Sequence, residues 1–404
     1  MKNYRISMVT FHACPVQTPG SGKTGGMNVY VKELSRQLGV FGLQVDIFAR
    51  RHLGSCEDIE WISDKVRVVH LNGGHRTHDL ADLHQFTFEF SQNIVKFQTA
   101  EKIKYLLVHS HYWLSGLVGD YLSEKWEVPH LVTFHTLSEL KRRARIGEGE
   151  SELRSDSERY IMSVADTIIA SSIHELEMMV QLYGASRDKI KAIPCGVDLS
   201  KFRPLDMMTA RDHLGLNGDK VMLYVGRIEP LKGVELLLDV AASMDVCYKY
   251  KVLIVGGDLS QEKEVNRLME LSTRLGLSDI VTFVGRVEQA QLPQYFAAAD
   301  ICVIPSYYES FGLVALEAMA CGTPVVASRV GGLPAVISHG RTGYLLPWRC
   351  PERFVDTISM VFSSGSLRKS MSQAAVEMAG TMGWDNVATK MWPLYQSLVE
   401  LNSK

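Results

Sequence analysis

Two glutamates stand eight residues apart in the run ESFGLVALE, Glu309 and Glu317. The stretch before them, ICVIPS, reads as a strand ending at Pro305. The stretch around Glu317, LVALEAMA, reads as a helix beginning near Phe311. A helix that is apolar nearly all round is buried, and an unpaired carboxylate inside it costs several kcal/mol. Glu317 is therefore either held by core donors or kept to bind something polar. Eight helical residues span about 12 Å, beyond the separation of about 5–9.5 Å at which paired carboxylates cleave glycosidic bonds. The spacing suits the two ends of one elongated ligand. The first helical N–H groups, near Gly312 and Leu313, form an anion site between them.

Two cations add to this chemistry. In LYVGRIEPLKG, Arg227 and Lys232 follow a buried strand at its carboxyl end, a placement that suits a phosphate or diphosphate. In the first half of the chain, HSHYWLSG and TFHTL place His111, Tyr112, His135 and Thr136 just past strands, where they should line a crevice. The basic run KRRAR (Lys141–Arg145) reads as a solvated, mobile loop, with contact to an acceptor phosphate or a membrane surface as its other reading.

These residues need elements to position them. Strand-like runs (VDIF, VRVVHL, YLLVHS, HLVTF, TIIAS, IKAIP) alternate with segments of helical period. Met27, Tyr30, Val31, Leu34, Leu38 and Phe41 form one such stripe. The proline-, glycine- and aspartate-rich PCGVDLSKFRPLD (Pro194–Asp206) reads as a linker. The alternation then restarts with VMLYVG, YKVLIVGG, IVTFVG, ICVIPS and PVVAS. The expected fold is α/β, two doubly wound Rossmann-like domains facing across a cleft. Residues 1–198 form the first domain and 199–383 the second; a helix, 384–404, packs back on the first. The loop TPGSGKTGG contains the letters G-K-T but is not a phosphate loop. Gln17 stands where a glycine is required, and the strand-like Ile6–Thr10 ends too early.

Composition excludes other classes. The 404 residues carry 43 basic and 45 acidic side chains, a formal charge of -2, so nothing global points to nucleic acid. Seven cysteines form no C-x-x-C pair, which argues against zinc or a disulfide framework and fits a reducing cytosol. No apolar run approaches the roughly 18 residues of a membrane span, and the opening MKNYRISMVT lacks the apolar core of a signal peptide. The expected location is cytoplasmic.

The E-x7-E run resembles the donor-site signature of retaining glycosyltransferases of the GT-B fold, family 4. GGMNVYVKELSRQL and HSHYWLSG are similar to the branch holding sucrose-phosphate synthases and D-inositol-3-phosphate glycosyltransferases. The resemblance implies a nucleotide-diphosphate sugar as donor and co-substrate, with no further cofactor. Glu317 would hold the ribose and Glu309 the donor sugar. Arg227 and Lys232 would clamp the diphosphate, while the amides from Phe311 through Gly312 and Leu313 to Val314 would bind its oxygens or the sugar. His135 would face the reacting sugar. Gly25 and Gly26 would let backbone approach the donor at the start of a helix near Met27. Asn28, Tyr112, Thr136 and Arg159 would line the acceptor pocket. The relatives' acceptor-phosphate lysine has no counterpart in GGHRTHDLADL (Gly73–Leu83), where Arg76 is the nearest substitute. The expected reaction is metal-independent hexosyl transfer, with retention, to a small polyol, sugar or sugar phosphate. Arg227 and Lys232 can stabilise the leaving diphosphate, and no D-x-D motif is suitably placed.

Three other readings compete. A nicotinamide dehydrogenase needs a G-x-G-x-x-G loop after a strand, and neither VGGDLS nor GSGKTGG meets both conditions. A non-catalytic two-domain sugar-binding protein and a pyridoxal-dependent phosphorylase share the general architecture. Donor base, whether UDP, ADP or GDP, donor sugar, acceptor and oligomeric state are not legible.

Overall fold

The computed structural model describes residues 4–17, 25–51, 57–74, 82–144, 149–216, 218–244, 249–259, 263–347 and 349–402. The chain divides into two compact units, Met1–Cys195 with Trp384–Lys404, and Gly196–Gly383. The division falls inside the Pro194–Asp206 linker, between Cys195 and Gly196 rather than at 198/199.

The first unit is built on β1 (Arg5–Thr10), β2 (Gln44–Arg50), β3 (Ile59–Ser63), β4 (Val66–Leu71), β5 (Val108–His111), β6 (His130–Thr133), β7 (Thr167–Ala170) and β8 (Ile190–Ala192). Their order in the sheet is β3-β4-β2-β1-β5-β6-β7-β8. The central strands are buried on both faces, as helix-covered parallel strands must be. β3 alone runs antiparallel, at the edge. Its sequence, IEWIS, lacks the continuous apolar run of the buried strands because only one side of an edge strand is packed, and Trp61 is 58% exposed. The core joins Phe11, Phe48, Phe90, Val108, Leu114 and Ile161.

The second unit holds β9 (Lys220–Val225), β10 (Tyr250–Val255), β11 (Val281–Gly285), β12 (Ile301–Ile304), β13 (Val325–Ser328) and β14 (Gly343–Leu346). Its order, β11-β10-β9-β12-β13-β14, is all parallel. In sequence order that is 3-2-1-4-5-6, the doubly wound order with a switch point between its first and fourth strands. The loops after β9 and β12 leave in opposite directions there and open the place where ligands bind. In the first unit the same reversal falls between β1 and β5.

The last helix, Trp384–Leu401, belongs to the first unit. Trp392 packs edge-on to Tyr4 at 5.5 Å, and Trp384 packs edge-on to Tyr30 at the same distance. Two expectations need correction. The KRRAR run is not a solvated loop. Lys141 to Ala144 lie in the helix Ser138–Ala144. Lys141 is neutralised by Glu150 at 2.6 Å, and Arg142 by Glu139; Arg145 lies outside the described residues. Phe41 is not part of the buried stripe, because it caps the helix Gly26–Val40 and is 42% exposed. Among the described residues no helix is long and apolar enough to cross a membrane.

Candidate active site

In the second unit, β9 leads through Gly226 into a short turn, Pro230–Lys232, closed by Gly233 at φ 68°. A Cβ on Gly233 would lie 2.2 Å from the carbonyl oxygen of Pro305, so glycine lets the two switch-point loops touch. The Tyr307 N–H donates to Leu231 O at 2.8 Å. This contact brings Lys232 Nζ to 2.6 Å from Glu309 Oε2, both side chains about one-fifth exposed. Arg227 is turned aside, 43% exposed and paired with Glu229.

The helix expected near Phe311 starts at Leu313. Gly312, at φ 94° and ψ 41°, is its left-handed N-cap, and a Cβ there would lie 2.7 Å from Leu333 Cδ2. Leu313 and Val314 are the first helical residues, so their N–H groups have no partner within the helix. The Phe311 ring is buried. Behind this loop stand Gly331 and Gly332. The Gly332 N–H donates to Glu309 O at 2.9 Å, and a Cβ on Gly331 would sit 1.8 Å from that same oxygen. Glu317 is 7% exposed in the helix Leu313–Ala320. Its partner is Gln289 Nε2 at 3.5 Å, and Gln289 Oε1 accepts from Lys201 Nζ at 3.1 Å. Burial pushes the Glu317 carboxyl up to about 7, against the pull of Gln289 and Lys201.

In the first unit, β5 ends at His111 and Tyr112 follows at φ 79°, ψ 159°. That backbone region is almost reserved for glycine and costs about 1–3 kcal/mol. Its N–H to Thr133 O, 2.8 Å, holds it there. His135, past β6, is also left-handed, at φ 64°. The rings then cluster. His111 Nδ1 lies 3.0 Å from His135 Nε2, and His109 Nδ1 lies 2.7 Å from the Tyr395 hydroxyl. His109 Nε2 is 2.9 Å from Thr133 Oγ1. Burial holds His109 and His111 well below the usual imidazole range and His135 down to about 3, so all three are neutral near pH 7. Beside them the Arg154 guanidinium sits 4.8 Å above the Tyr112 ring. It donates to Thr136 O and Oγ1 at 2.9 and 3.1 Å, and to Glu158 and Glu150 at 2.7 Å each. Asn28 is buried and donates to Cys14 O at 2.6 Å. Gly25 is the extended N-cap of the helix that begins at Gly26.

Residues 24–201 match the model of Glycosyltransferase Family 4, and residues 207–378 that of Glycosyl transferases group 1. The D-inositol 3-phosphate glycosyltransferase 2 of Catenulispora acidiphila is 38% identical over 98% of this chain and 95% of its own length. The chain belongs to the group 1 glycosyltransferases, with the GT-B fold. A D-inositol 3-phosphate glycosyltransferase of Mycobacteroides abscessus is likewise 38% identical, over 98% of this chain and 89% of its own length. Among solved structures, the sucrose-phosphate synthase of Thermosynechococcus elongatus superposes with a TM-score of 0.92 at 32% identity, over 99% of this chain and all of the other.

The glycosyltransferase brings together some of the residues read from its sequence and separates others. Lys232 meets Glu309, and Gly312 opens the helix that carries Glu317. Arg227 stays with Glu229. Tyr112 and Thr136 converge, but the arginine joining them is Arg154. Arg159 is 43% exposed and bonds Asp156 and Glu139 instead. Arg76, like Thr18–Thr24 of the glycine-rich loop, lies outside the described residues. Sequence reasoning missed Arg154, Gln289, Lys201 and the Gly331–Gly332 pair. Arg154 had a legible signal: Arg154 and Glu158 are four apart on the helix Glu152–Val164, with Glu150 four residues earlier, just before its N-cap Ser151. The glycine pair had another, directly after the strand PVVAS. Gln289 and Lys201 had none. Among the described residues no three His, Cys, Asp or Glu side chains are grouped as a metal would require.

Proposed function

We propose that this glycosyltransferase moves a hexosyl group from a nucleotide-diphosphate sugar to a hydroxyl of a small polyol, sugar or sugar phosphate. The transfer retains anomeric configuration and needs no metal. The observation that carries the reading is the Lys232–Glu309 pair beside the left-handed Gly312 and the buried Glu317. Without ligand the two charges neutralise each other. A donor exchanges that contact for two better ones, diphosphate oxygens on Lys232 and sugar hydroxyls on Glu309. The N–H groups of Leu313 and Val314 donate to further negatively charged oxygens. Glu317, at the inner end, takes the ribose hydroxyls. As the glycosidic bond breaks, negative charge grows on the diphosphate, and Lys232 stabilises that change more than it stabilises the bound donor. Arg227 needs only a rotation away from exposed Glu229 to assist.

The first unit supplies the acceptor side. Tyr112, Thr136 and Arg154 form one hydrogen-bonded and stacked group, with neutral His135 beside it. Arg154 is already balanced by Glu150 and Glu158, so it shapes the pocket more than it attracts an anion. The relatives are named D-inositol 3-phosphate glycosyltransferase and sucrose-phosphate synthase, names that fit a polyol or sugar-phosphate acceptor. The absence of lysine from Gly73–Leu83 argues that this chain's acceptor is not 1D-inositol 3-phosphate. Arg76 meets phosphate as a planar fork, not as a point charge.

The test is a thermal-shift screen of UDP-, ADP- and GDP-sugars. A donor at about a hundred times its dissociation constant adds roughly 2.7 kcal/mol of stability. Inositol 3-phosphate, fructose 6-phosphate, glycerate and simple polyols are then offered with the best donor, with and without EDTA. Transfer surviving EDTA, with the product keeping the donor's anomeric configuration by NMR, is the expected result. Inversion, loss with EDTA, or efficient use of inositol 3-phosphate each overturns the corresponding part.

A further inference from the structure

The 3.0 Å contact between His111 Nδ1 and His135 Nε2 requires one ring to donate and the other to accept. His111 is fully buried, and its Nε2 has no hydrogen-bond partner. If His111 carried its hydrogen on Nε2, a buried N–H would be left without an acceptor. Orphaned buried N–H groups are rare in native structures, while acceptors short of a donor are tolerated somewhat better. The geometry therefore favours hydrogen on Nδ1 of His111, donated to His135. His135 Nε2 then accepts, and as a neutral ring His135 carries its own hydrogen on Nδ1. The backbone reinforces the orientation. His135 is left-handed at φ 64°, and Tyr30 packs edge-on against its ring at 5.0 Å. The His109 ring lies against His111 with centroids 4.1 Å apart and is anchored by the Tyr395 hydroxyl.

We propose that His111 is a positioning residue that fixes His135 as its Nδ1–H tautomer, so that His135 presents a neutral N–H donor to an oxygen of the reacting sugar or of the incoming hydroxyl. This rests on the reading of His135 as facing the reacting sugar. His111 itself touches neither substrate. Asparagine places a side-chain N–H close to the position of imidazole Nδ1, whereas leucine fills similar space with no donor.

The experiment has two arms. In the first, the full chain is labelled with 15N-histidine, and the His135 signal is identified by its loss in His135→Gln. Long-range nitrogen–proton correlations then read the tautomer directly, with no need for turnover. The expected result is Nδ1–H at His135 in the wild type and a mixture of tautomers in His111→Leu. In the second, kinetics with the best donor should show kcat lowered at least about tenfold in His111→Leu with donor KM little changed, and largely recovered in His111→Asn; loss of one preorganised donor costs up to about 10²–10³-fold. A wild-type His135 with hydrogen on Nε2 overturns the proposal, even if His111→Leu does not fold. So does an equal loss in the Leu and Asn variants, or an unchanged kcat in His111→Leu. If the wild type transfers no sugar, the function assigned to His135 fails while the tautomer remains measurable.

Discussion

The two units hold their functional groups by opposite means. In the second, glycines at φ 68°, 94° and 51° let loops approach one another, and Lys232, Glu309 and Arg227 are charged and partly exposed. In the first, the unusual backbone is carried by Tyr112 and His135, residues that strain it, and the working groups are neutral rings beside a buried arginine, Arg154, balanced by Glu150 and Glu158. Glycine adopts such conformations at little cost but fixes nothing around it. A tyrosine in a glycine-like conformation is kept there by everything packed against it. The contrast suits the tasks proposed for the two units. A charged donor site must yield its internal ion pair to the ligand, while a site that orients one hydroxyl for attack must not move.

The comparison is tested most severely at Arg154. Arg154 and Glu158 are 3% and 0% exposed. Removing one partner of such a buried pair typically costs about 3–5 kcal/mol, so Arg154→Ala should lower the urea midpoint sharply and abolish transfer through loss of structure. Arg159→Ala, at an exposed pair, should change stability by no more than about 0.5 kcal/mol. Equal effects of the two changes would show that the first unit is not held by its buried network.

At Lys232 the expectation reverses. Its pair with Glu309 is partly exposed, so Lys232→Ala should leave the fold nearly intact. The kcat should fall by roughly 10²-fold or more, with a smaller rise in donor KM, because the charge it meets grows in the transition state. A change in KM alone would assign Lys232 to ground-state binding. Between these extremes stands Gly331→Ala. The new Cβ would meet Glu309 O at 1.8 Å in a left-handed backbone. Strain of about 1–3 kcal/mol is expected, read as a lower melting temperature together with weaker donor binding. Unchanged donor affinity would mean that Gly331 does not shape the Glu309 loop.

How much of this was legible follows the same contrast. The second unit was readable because its devices are residue types: a glycine before a helix, a carboxylate in an apolar run, cations after a strand. Both sheets were readable because buried parallel strands are continuous apolar runs; only edge strands such as IEWIS escaped. The first unit's arrangement was less readable. No residue type announces that Tyr112 adopts φ 79°, that a basic run is neutralised by acids that flank it, or which of two arginines reaches Thr136. Those facts arise from how neighbouring strands, loops and helices pack on one another, which residue types alone do not specify. Arg154 and Arg159 lie on the same helix, Glu152–Val164, and a resemblance carries over residue types more securely than neighbouring positions on one helix.

The smallest expected effect concerns Glu317, a carboxylate of the second unit that is buried, at 7% exposed, without a cation bonded to it directly. Burial raises its carboxyl from the ordinary value near 4.5 to about 7. In the folded chain the neutral form is favoured, so between those values the unfolded chain releases the proton first. This group's contribution to stability therefore declines as pH rises from about 4.5 to 7 and is constant above. Ribose hydroxyls donate best to the ionised carboxylate. Binding of a nucleotide sugar, whose diester diphosphate does not itself titrate near neutrality, should tighten as pH rises through 7. A single group titrating at about 7 gives roughly a tenfold change in dissociation constant between pH 6 and 8, about 1.4 kcal/mol. Glu317→Gln should bind more weakly at pH 8 with a flat profile. Calorimetric titration at several pH values measures both. A flat wild-type profile would mean that Glu317 is already ionised without ligand, and that Lys201 acting through Gln289 outweighs burial.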